Sequence, residues 1–232
     1  MDIDRSADGL SEQIAKLIAE QIISGELVEG ERIQELRIAK ELDVSRGSVR
    51  EALLLLQRTY LIEIYPRRGA VVSEMSAQQI RALFDTGMMV LGNIVQCTCE
   101  TWRQQEAQQM QDLILVLEEH VRIGDVEGFY DGIFNLLHLQ SEKIENFYLR
   151  NIFRELLPSL RRAYFLTLNT SRRELQEAFD LFKLVIDAIL IRKPHQAALF
   201  MEDFCRHLRN IVLESLTRMK QVELAWARRS RR

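Results

Sequence analysis

The sequence predicts a mainly α-helical protein in two parts: a small N-terminal domain of helices and one hairpin, then a longer all-helical domain. Apolar residues recur at helical spacing along most of the 232 residues. The turn-rich punctuation of the first part disappears from Ser76 onward. A hydrophobic content of 47% is enough to form two cores.

Three helical segments are predicted in the first part. The first covers about 10–24 and has its isoleucines on one face. The second covers roughly 34–42. A third begins after Ser45, whose side chain is placed to accept a hydrogen bond from the backbone amide of Ser48, and runs to about residue 57. This order of a short helix, a turn and a capped helix is typical of a helix-turn-helix.

Two short strands follow the third helix. They are predicted over about 61–64 and 70–72, and a turn-rich tip from Tyr65 to Gly69 joins them. Helices followed by such a hairpin form a winged helix-turn-helix, which places its second motif helix in the major groove of double-stranded DNA. The first domain is therefore expected to bind an operator.

The third helix carries the predicted base readers. Arg46 and Arg50 are four residues apart and share a face, where either can fork onto guanine O6 and N7. The neighbouring serines can reach phosphates. The alternative is an ordinary helical hairpin with surface arginines. The predicted DNA-binding set is Arg37, Ser45, Arg46, Gly47, Ser48, Arg50, Arg67, Arg68 and Gly69.

Composition and charge limit which other classes of protein the chain can belong to. The net charge of −3 does not by itself indicate a nucleic-acid partner, so the basic excess of segment 37–68 is a local signal. Three cysteines without CxxC spacing fit neither a disulfide framework nor a zinc site. The acidic start lacks a signal peptide's pattern, and charges interrupt the best apolar run, 181–191. A soluble cytoplasmic protein with no membrane partner is expected.

The second part is predicted as six or seven helices. Ser76 with Gln79, and Ser171 with Glu174, have capping-box spacing, and Pro158 is expected to break or kink the fourth helix. The domains are accordingly placed at 1–75 and 76–222, with a basic tail at 223–232 that is either a solvated end or a DNA or partner contact. The predicted helices cover about 76–100, 103–123, 126–143, 146–168, 171–191 and 194–222.

Several of these segments together resemble the GntR family of bacterial regulators. The segments are Gly30-Glu31-Arg32-Ile33, Glu35, the run VSRGSVREAL over 44–53, and Pro66-Arg67-Arg68-Gly69-Ala70. The resemblance implies a transcriptional regulator, here expected to be a repressor that binds a pseudo-palindromic operator as a homodimer. Gly47-Ser48 stands where the family usually has Thr-Pro, which is expected to shift base preference.

The second domain resembles the FCD, or FadR-like, branch of that family. The run DGIFN over 131–135 and the segment from Ile186 to Met201 carry the likeness, which implies a domain for effector binding and dimerisation. Many members of the branch hold a divalent metal through an Asp, a His four residues later and two further His. Those positions fall here on Asp131, Asn135, Phe182 and Phe204, so no metal and no other cofactor is expected. A displaced metal site involving His138 or His207 remains an alternative.

The same comparison predicts an apolar effector pocket lined by Asp131, Asn135, His138, Phe182 and Phe204. Its expected ligand is a small apolar or acyl molecule that modulates DNA affinity. The alternative is that the phenylalanines fill the cavity and the protein is a ligand-independent dimeric DNA-binding protein. A metal-dependent enzyme with a DNA-binding head is a third hypothesis, but no catalytic constellation supports it, and the chain is expected not to be an enzyme.

Overall fold

The computed structural model describes residues 9–167 and 170–229, with side chains as far as residue 222. The chain forms two compact units. The first comprises Met1–Met75 together with Arg154–Arg162, and the second comprises the remaining residues. Within its described part, the N-terminal portion of the first unit contains α1 (Leu10–Ile23), α2 (Glu35–Glu41), α3 (Arg46–Arg58), β1 (Ile62–Tyr65) and β2 (Gly69–Val72).

The first unit has one hydrophobic core, which the apolar faces of its helices and strands share. Ile14 and Ile18 of α1 are buried against the inner face of α3. Burial of each such aliphatic side chain contributes about 1.5–3 kcal/mol. The inner face of α3 consists of Val49, Ala52, Leu53 and Leu56. The outer face of the same helix is therefore left to polar and charged residues.

The two strands form an antiparallel hairpin. Its paired residues are Ile62 with Val72, Glu63 with Val71, Ile64 with Ala70, and Tyr65 with Gly69. Arg32 makes an isolated antiparallel bridge to Val71, so the segment before α2 adds a further line of backbone pairing on β2. The hairpin is one residue later at its start than the predicted strand, and it supplies the expected wing.

A segment of a later helix completes the first unit, which the sequence did not predict. Ser159 Oγ donates a hydrogen bond to the backbone oxygen of Thr59 at 2.8 Å. The guanidinium of Arg162 is buried; its Nη2 donates to Ser73 O at 2.8 Å and lies 3.3 Å from Glu29 Oε1. Burial lowers the pKa of Arg162, and the Glu29 carboxylate acts in the opposite direction. These contacts fix the segment after the wing.

The second unit is entirely helical in its described residues. Helix α9 packs on α4 and α8, and α5 packs on α6 and α8. Capping boxes at Ser76 and Ser171 begin α4 and α8 as predicted. The helices are α4 (Ala77–Thr101), α5 (Gln104–Ile123), α6 (Val126–Glu142), α7 (Phe147–Phe165), α8 (Arg172–Leu190) and α9 (Pro194–Arg229), of which the Arg154–Arg162 part of α7 belongs to the first unit.

Two details of these helices differ from the sequence-based expectations. Pro158 lies inside α7, which continues through it without a break, and Leu156 and Leu160 on either side are buried. Helix α9 continues to Arg229 instead of ending near residue 222. The predicted tail therefore begins within a helix, and its last residues, 230–232, lie outside the described residues. None of the helices in the described parts of the chain is long and apolar enough to span a membrane.

Candidate nucleic-acid interface and effector region

The N-terminus of α3 is the centre of the candidate DNA interface. Ser45 is the N-cap, and its Oγ accepts a hydrogen bond from the Ser48 backbone amide at 3.0 Å, as the sequence predicted. The two serine hydroxyls also lie 2.9 Å apart. The remaining amides of the first turn are free to bind an anion such as a DNA phosphate.

Arg46 and Arg50 both lie on the exposed side of α3, but their surroundings differ. Within the described part of the chain, no hydrogen bond or ion pair holds the Arg46 side chain. Arg50 Nε donates to Glu35 Oε2 at 2.9 Å, so its guanidinium is oriented by the first residue of α2. The Glu35 contact thus orients Arg50, and Arg46 has no such contact among the described residues.

Arg37, the predicted phosphate contact on α2, forms an ion pair within its own helix. Its Nε donates to Glu41 Oε1 at 2.8 Å, and both side chains are more than half exposed. The nearby carboxylate raises the pKa of Arg37 through a hydrogen bond and through its charge. Arg37 therefore stays cationic, but its charge is partly neutralised in the free protein.

The tip of the wing presents two exposed arginines. Arg67 has a φ of 65°, and Gly69 after it has a φ of 82°, which are the left-handed conformations of a tight three-residue connection. The Arg68 guanidinium carbon lies 5.7 Å from the centre of the Tyr65 ring. Both charged groups are thus on the solvent side of the hairpin, where a phosphate backbone can reach them.

Gly47 and Arg32 add detail that the motif alone did not give. A Cβ at Gly47 would meet only Ser45 Oγ at 3.5 Å, so the fold does not require a glycine there. Arg32 is exposed, and its guanidinium lies 3.8 Å from the position that a Cβ on Gly69 would occupy. Arg32 is therefore a basic residue at the wing that was absent from the predicted contact set. Its place in the GERI segment could have indicated it.

The predicted effector-pocket residues do not gather around one cavity. Asn135 and His138 are exposed, and Asp131 is half-buried. Phe182 and Phe204 are buried in the core. The reason is the period of α6: its buried face runs through Phe129, Tyr130, Ile133, Phe134 and Leu137, which turns residues 131, 135 and 138 toward the other side. These five residues therefore do not line a common cavity in this structure, and one pocket containing all of them stays a prediction.

The residues at the metal positions of the family do not fit a metal. The rings of Phe182 and Phe204 pack against each other with centres 5.3 Å apart and planes tilted by 56°, and phenylalanine has no donor atom. Asn135 is exposed. Nε2 of His207 lies 3.1 Å from the Glu174 carbonyl oxygen, so it already has a local partner. Among the described residues, no three His, Cys, Asp or Glu side chains form a group that could hold an ion.

The interior of the second unit has little free space beside Phe182. A crevice bordered by Gln140, Phe182 and Met201 has a cavity volume of about 10 Å³, which is near the minimum for one water molecule. A larger, open groove of about 490 Å³ lies between α4 and α9, beside Met89, His195 and Leu199. The buried hydroxyl of Tyr130 has no hydrogen-bond partner among the described residues.

An outward-facing capped helix, a hairpin wing and an all-helical domain together define a winged-helix DNA-binding regulator. Comparison with protein families identifies the family of regulators to which the chain belongs. Residues 10–72 match the model of bacterial regulatory proteins of the gntR family, and residues 82–210, more than half of the chain, match the FCD domain. The chain belongs to the GntR family of transcriptional regulators, with an FCD domain for effector binding.

Relatives and solved structures agree with this membership. The chain is 24% identical over 183 residues to the gluconate operon transcriptional repressor of Bacillus subtilis, covering 76% of this chain and 74% of that protein. Over 72 residues it is 32% identical to the HTH-type transcriptional repressor RspR of Escherichia coli, covering 31% of this chain and 32% of that protein. The E. coli McbR/YncC structure has the same fold, with a TM-score of 0.77 at 18% identity over 90% of this chain and 100% of that one.

Proposed function

We propose that this protein is a cytoplasmic, non-enzymatic transcriptional repressor that binds a pseudo-palindromic operator as a homodimer. The observation that carries the proposal is the segregation of α3. One face of this helix is buried in the core, while Ser45, Arg46 and Arg50 are exposed on the other. A helix with a packed inner face and donors in its first turn is the arrangement that major-groove reading requires.

The repressor role and the homodimer rest on related reasoning. Two relatives that match most of the chain are each named a gluconate operon transcriptional repressor. A single winged helix reads only a few base pairs, so two copies related by a two-fold axis give an operator with matching half-sites one helical turn apart.

The direct test is to select duplexes from a randomised pool with the full-length protein and to measure their affinities. The expected result is an enriched inverted repeat bound as a dimer, with the stoichiometry measured by light scattering. Arg173→Ala on α8 is a suitable control, because it removes one exposed arginine whose partner, Glu177, is in its own helix. If no sequence is enriched, the proposed function is wrong.

A small-molecule effector is the second part of the proposal. FCD domains are effector-binding domains, and the unpartnered Tyr130 hydroxyl supports a ligand with a polar group beside an apolar or acyl body. The nearly filled crevice at Phe182 is not lined by Tyr130, and a ligand that entered it would have to displace side chains, of which the flexible Met110 and Met201 can move most easily.

One observation favours a second candidate, which is a ligand-independent dimeric DNA-binding protein. The tilted, packed rings of Phe182 and Phe204 occupy the positions where the family resemblance implies metal ligands. A thermal-shift screen separates the two candidates. A true effector raises the melting temperature in proportion to the logarithm of its concentration above its Kd. Acyl compounds, small carboxylates and divalent metals are the probes, and the absence of any shift favours the ligand-independent candidate.

A further inference from the structure

The contact between Glu35 and Arg50 carries an inference beyond DNA binding as such. Arg50 lies in the second turn of α3, on the face that is predicted to read bases. Glu35 is the first residue of α2, and its carboxylate accepts a hydrogen bond from Arg50 Nε at 2.9 Å. The Arg50 side chain is 62% exposed and the Glu35 side chain 26% exposed, so the pair lies at the surface with the carboxylate on the inner side.

The atoms used in this contact restrict what Arg50 can do. A guanidinium has five N–H donors, one on Nε and two on each terminal nitrogen. It can fork onto guanine O6 and N7 either with Nε and one terminal nitrogen or with the two terminal nitrogens. Because Glu35 occupies Nε, only the second geometry is available. The arginine is held with its two terminal nitrogens as the free end of the side chain.

A carboxylate beside a DNA-binding helix also has a cost for affinity, since it repels the phosphates. An exposed ion pair contributes little to the stability of the fold, so a gain in stability does not explain why a carboxylate lies here. What the contact does supply is order. A long, mobile side chain that is fixed before binding loses less entropy on binding and approaches the base edge at one angle.

We infer that Glu35 is a positioning residue for Arg50 that sets base specificity by restricting this arginine to recognition through its two terminal nitrogens. This inference rests on the proposed DNA-binding function. It assigns Glu35 no contact with DNA. Removing the carboxylate lets Arg50 adopt other rotamers and contact phosphates or other bases. Discrimination then falls, while binding to unrelated DNA stays equal or becomes tighter because a negative charge has been lost.

The chain offers a matched control on the same helix. Glu41 accepts a hydrogen bond from Arg37 Nε at 2.8 Å, so Glu41→Ala also removes one carboxylate from α2 and also frees one arginine. Arg37 is a predicted phosphate contact and not a base reader. Both substitutions change the charge equally, and only Glu35→Ala releases Arg50. Glu35→Gln keeps a neutral acceptor and is expected to give an intermediate result.

The experiment uses the duplex that the wild-type full-length protein selects from a randomised pool, single-base variants of that duplex, and an unrelated duplex. Affinities are measured at one fixed salt concentration, and thermal midpoints establish that each variant is folded. For Glu35→Ala, the affinity ratio between the selected duplex and its variant at the base pair read by Arg50 is expected to fall about tenfold, which is in the lower part of the range for loss of one forked contact. For Glu41→Ala this ratio is expected to stay within about twofold of wild type.

The outcomes separate the inference from the function on which it rests. If the wild-type protein enriches no duplex, the proposed function fails and the inference fails with it. If it enriches one and Glu35→Ala keeps the wild-type ratio, only the positioning role is overturned. An equal fall in Glu35→Ala and Glu41→Ala also overturns it, because the effect would then come from charge alone. If Glu35→Ala does not fold, the same comparison is made with Glu35→Gln.

Discussion

Helices α3 and α6 differ in how their predicted functional residues are oriented relative to the core. On α3 the functional side chains point to solvent and the apolar ones inward, so the residues predicted to act together do share a surface. On α6 the residues predicted to act together also share a side, but that side is turned away from the aromatic core. A reading surface needs only one helix and its cap, whereas a pocket needs several helices to present the correct faces to one another.

The first and largest expected effect tests whether the interior is packed as tightly as described. Phe182→Ala should lower the free energy of unfolding by about 3–5 kcal/mol, because it removes a fully buried ring and leaves a cavity beside Phe204. Urea denaturation at fixed protein concentration measures this. Leu199→Ala, at a side chain that is 61% exposed, is the control and should change stability by less than about 0.5 kcal/mol. A small loss for Phe182→Ala would show a loosely packed interior and would weaken the contrast with α3.

The second prediction concerns Arg46, the predicted base reader whose side chain has no hydrogen bond or ion pair among the described residues. Arg46→Ala should cost about 1–3 kcal/mol of discrimination at particular base pairs, because a forked contact to guanine is lost. Stability should be unchanged, since the Arg46 side chain is exposed. Affinities for the selected duplex and its single-base variants test this. An operator affinity that is unaffected by both Arg46→Ala and Arg50→Ala would exclude α3 as the reading helix.

A third, smaller effect separates the two roles of Ser45. Ser45→Ala removes the N-cap acceptor for the Ser48 amide and should reduce stability by about 0.5–2 kcal/mol. Ser45→Asp restores an acceptor and should recover most of that stability. Ser45→Asp also places a negative charge beside the DNA phosphates, so its affinity for DNA should be lower than that of the wild type at every sequence. If Ser45→Asp binds DNA as wild type does, the N-terminus of α3 does not face a phosphate.

The smallest expected effect is at the wing. Arg67→Ala should weaken binding about equally for specific and unrelated duplexes, and the slope of log affinity against log salt should become shallower by about one. A salt titration with both duplexes measures the slope. A loss confined to one base pair would instead show that the wing reads sequence.

The sequence predicts best those features that depend on residues close together along the chain. The N-cap at Ser45 and the capping boxes at Ser76 and Ser171 depend on residues three positions apart, and all are present. The hairpin depends on two adjacent strands and its tip, and it is within a residue of its predicted place. Such features are fixed by local chemistry.

Features that depend on distant partners were not predicted. The Arg50 contact joins residues 15 positions apart, and the Arg162 contact with Ser73 spans 89 positions. No local pattern encodes either of them. The predicted pocket is a different case, because the apolar period of α6 is visible in the sequence and turns Asn135 and His138 away from the core. At this helix the spacing of the family motif and the helix's own periodicity point to different faces.

The buried guanidinium of Arg162 has a consequence for how this regulator can be recombined. Ser73 O and the Glu29 carboxylate, both in the N-terminal part of the chain, meet a donor that lies 89 residues after Ser73 and 133 residues after Glu29. A DNA-binding head transplanted as residues 1–75 would carry these acceptors without their donor, and a recipient would have to provide an arginine at the matching turn of its own helix. To transfer this DNA-binding head intact, two separate stretches of sequence must therefore be moved together.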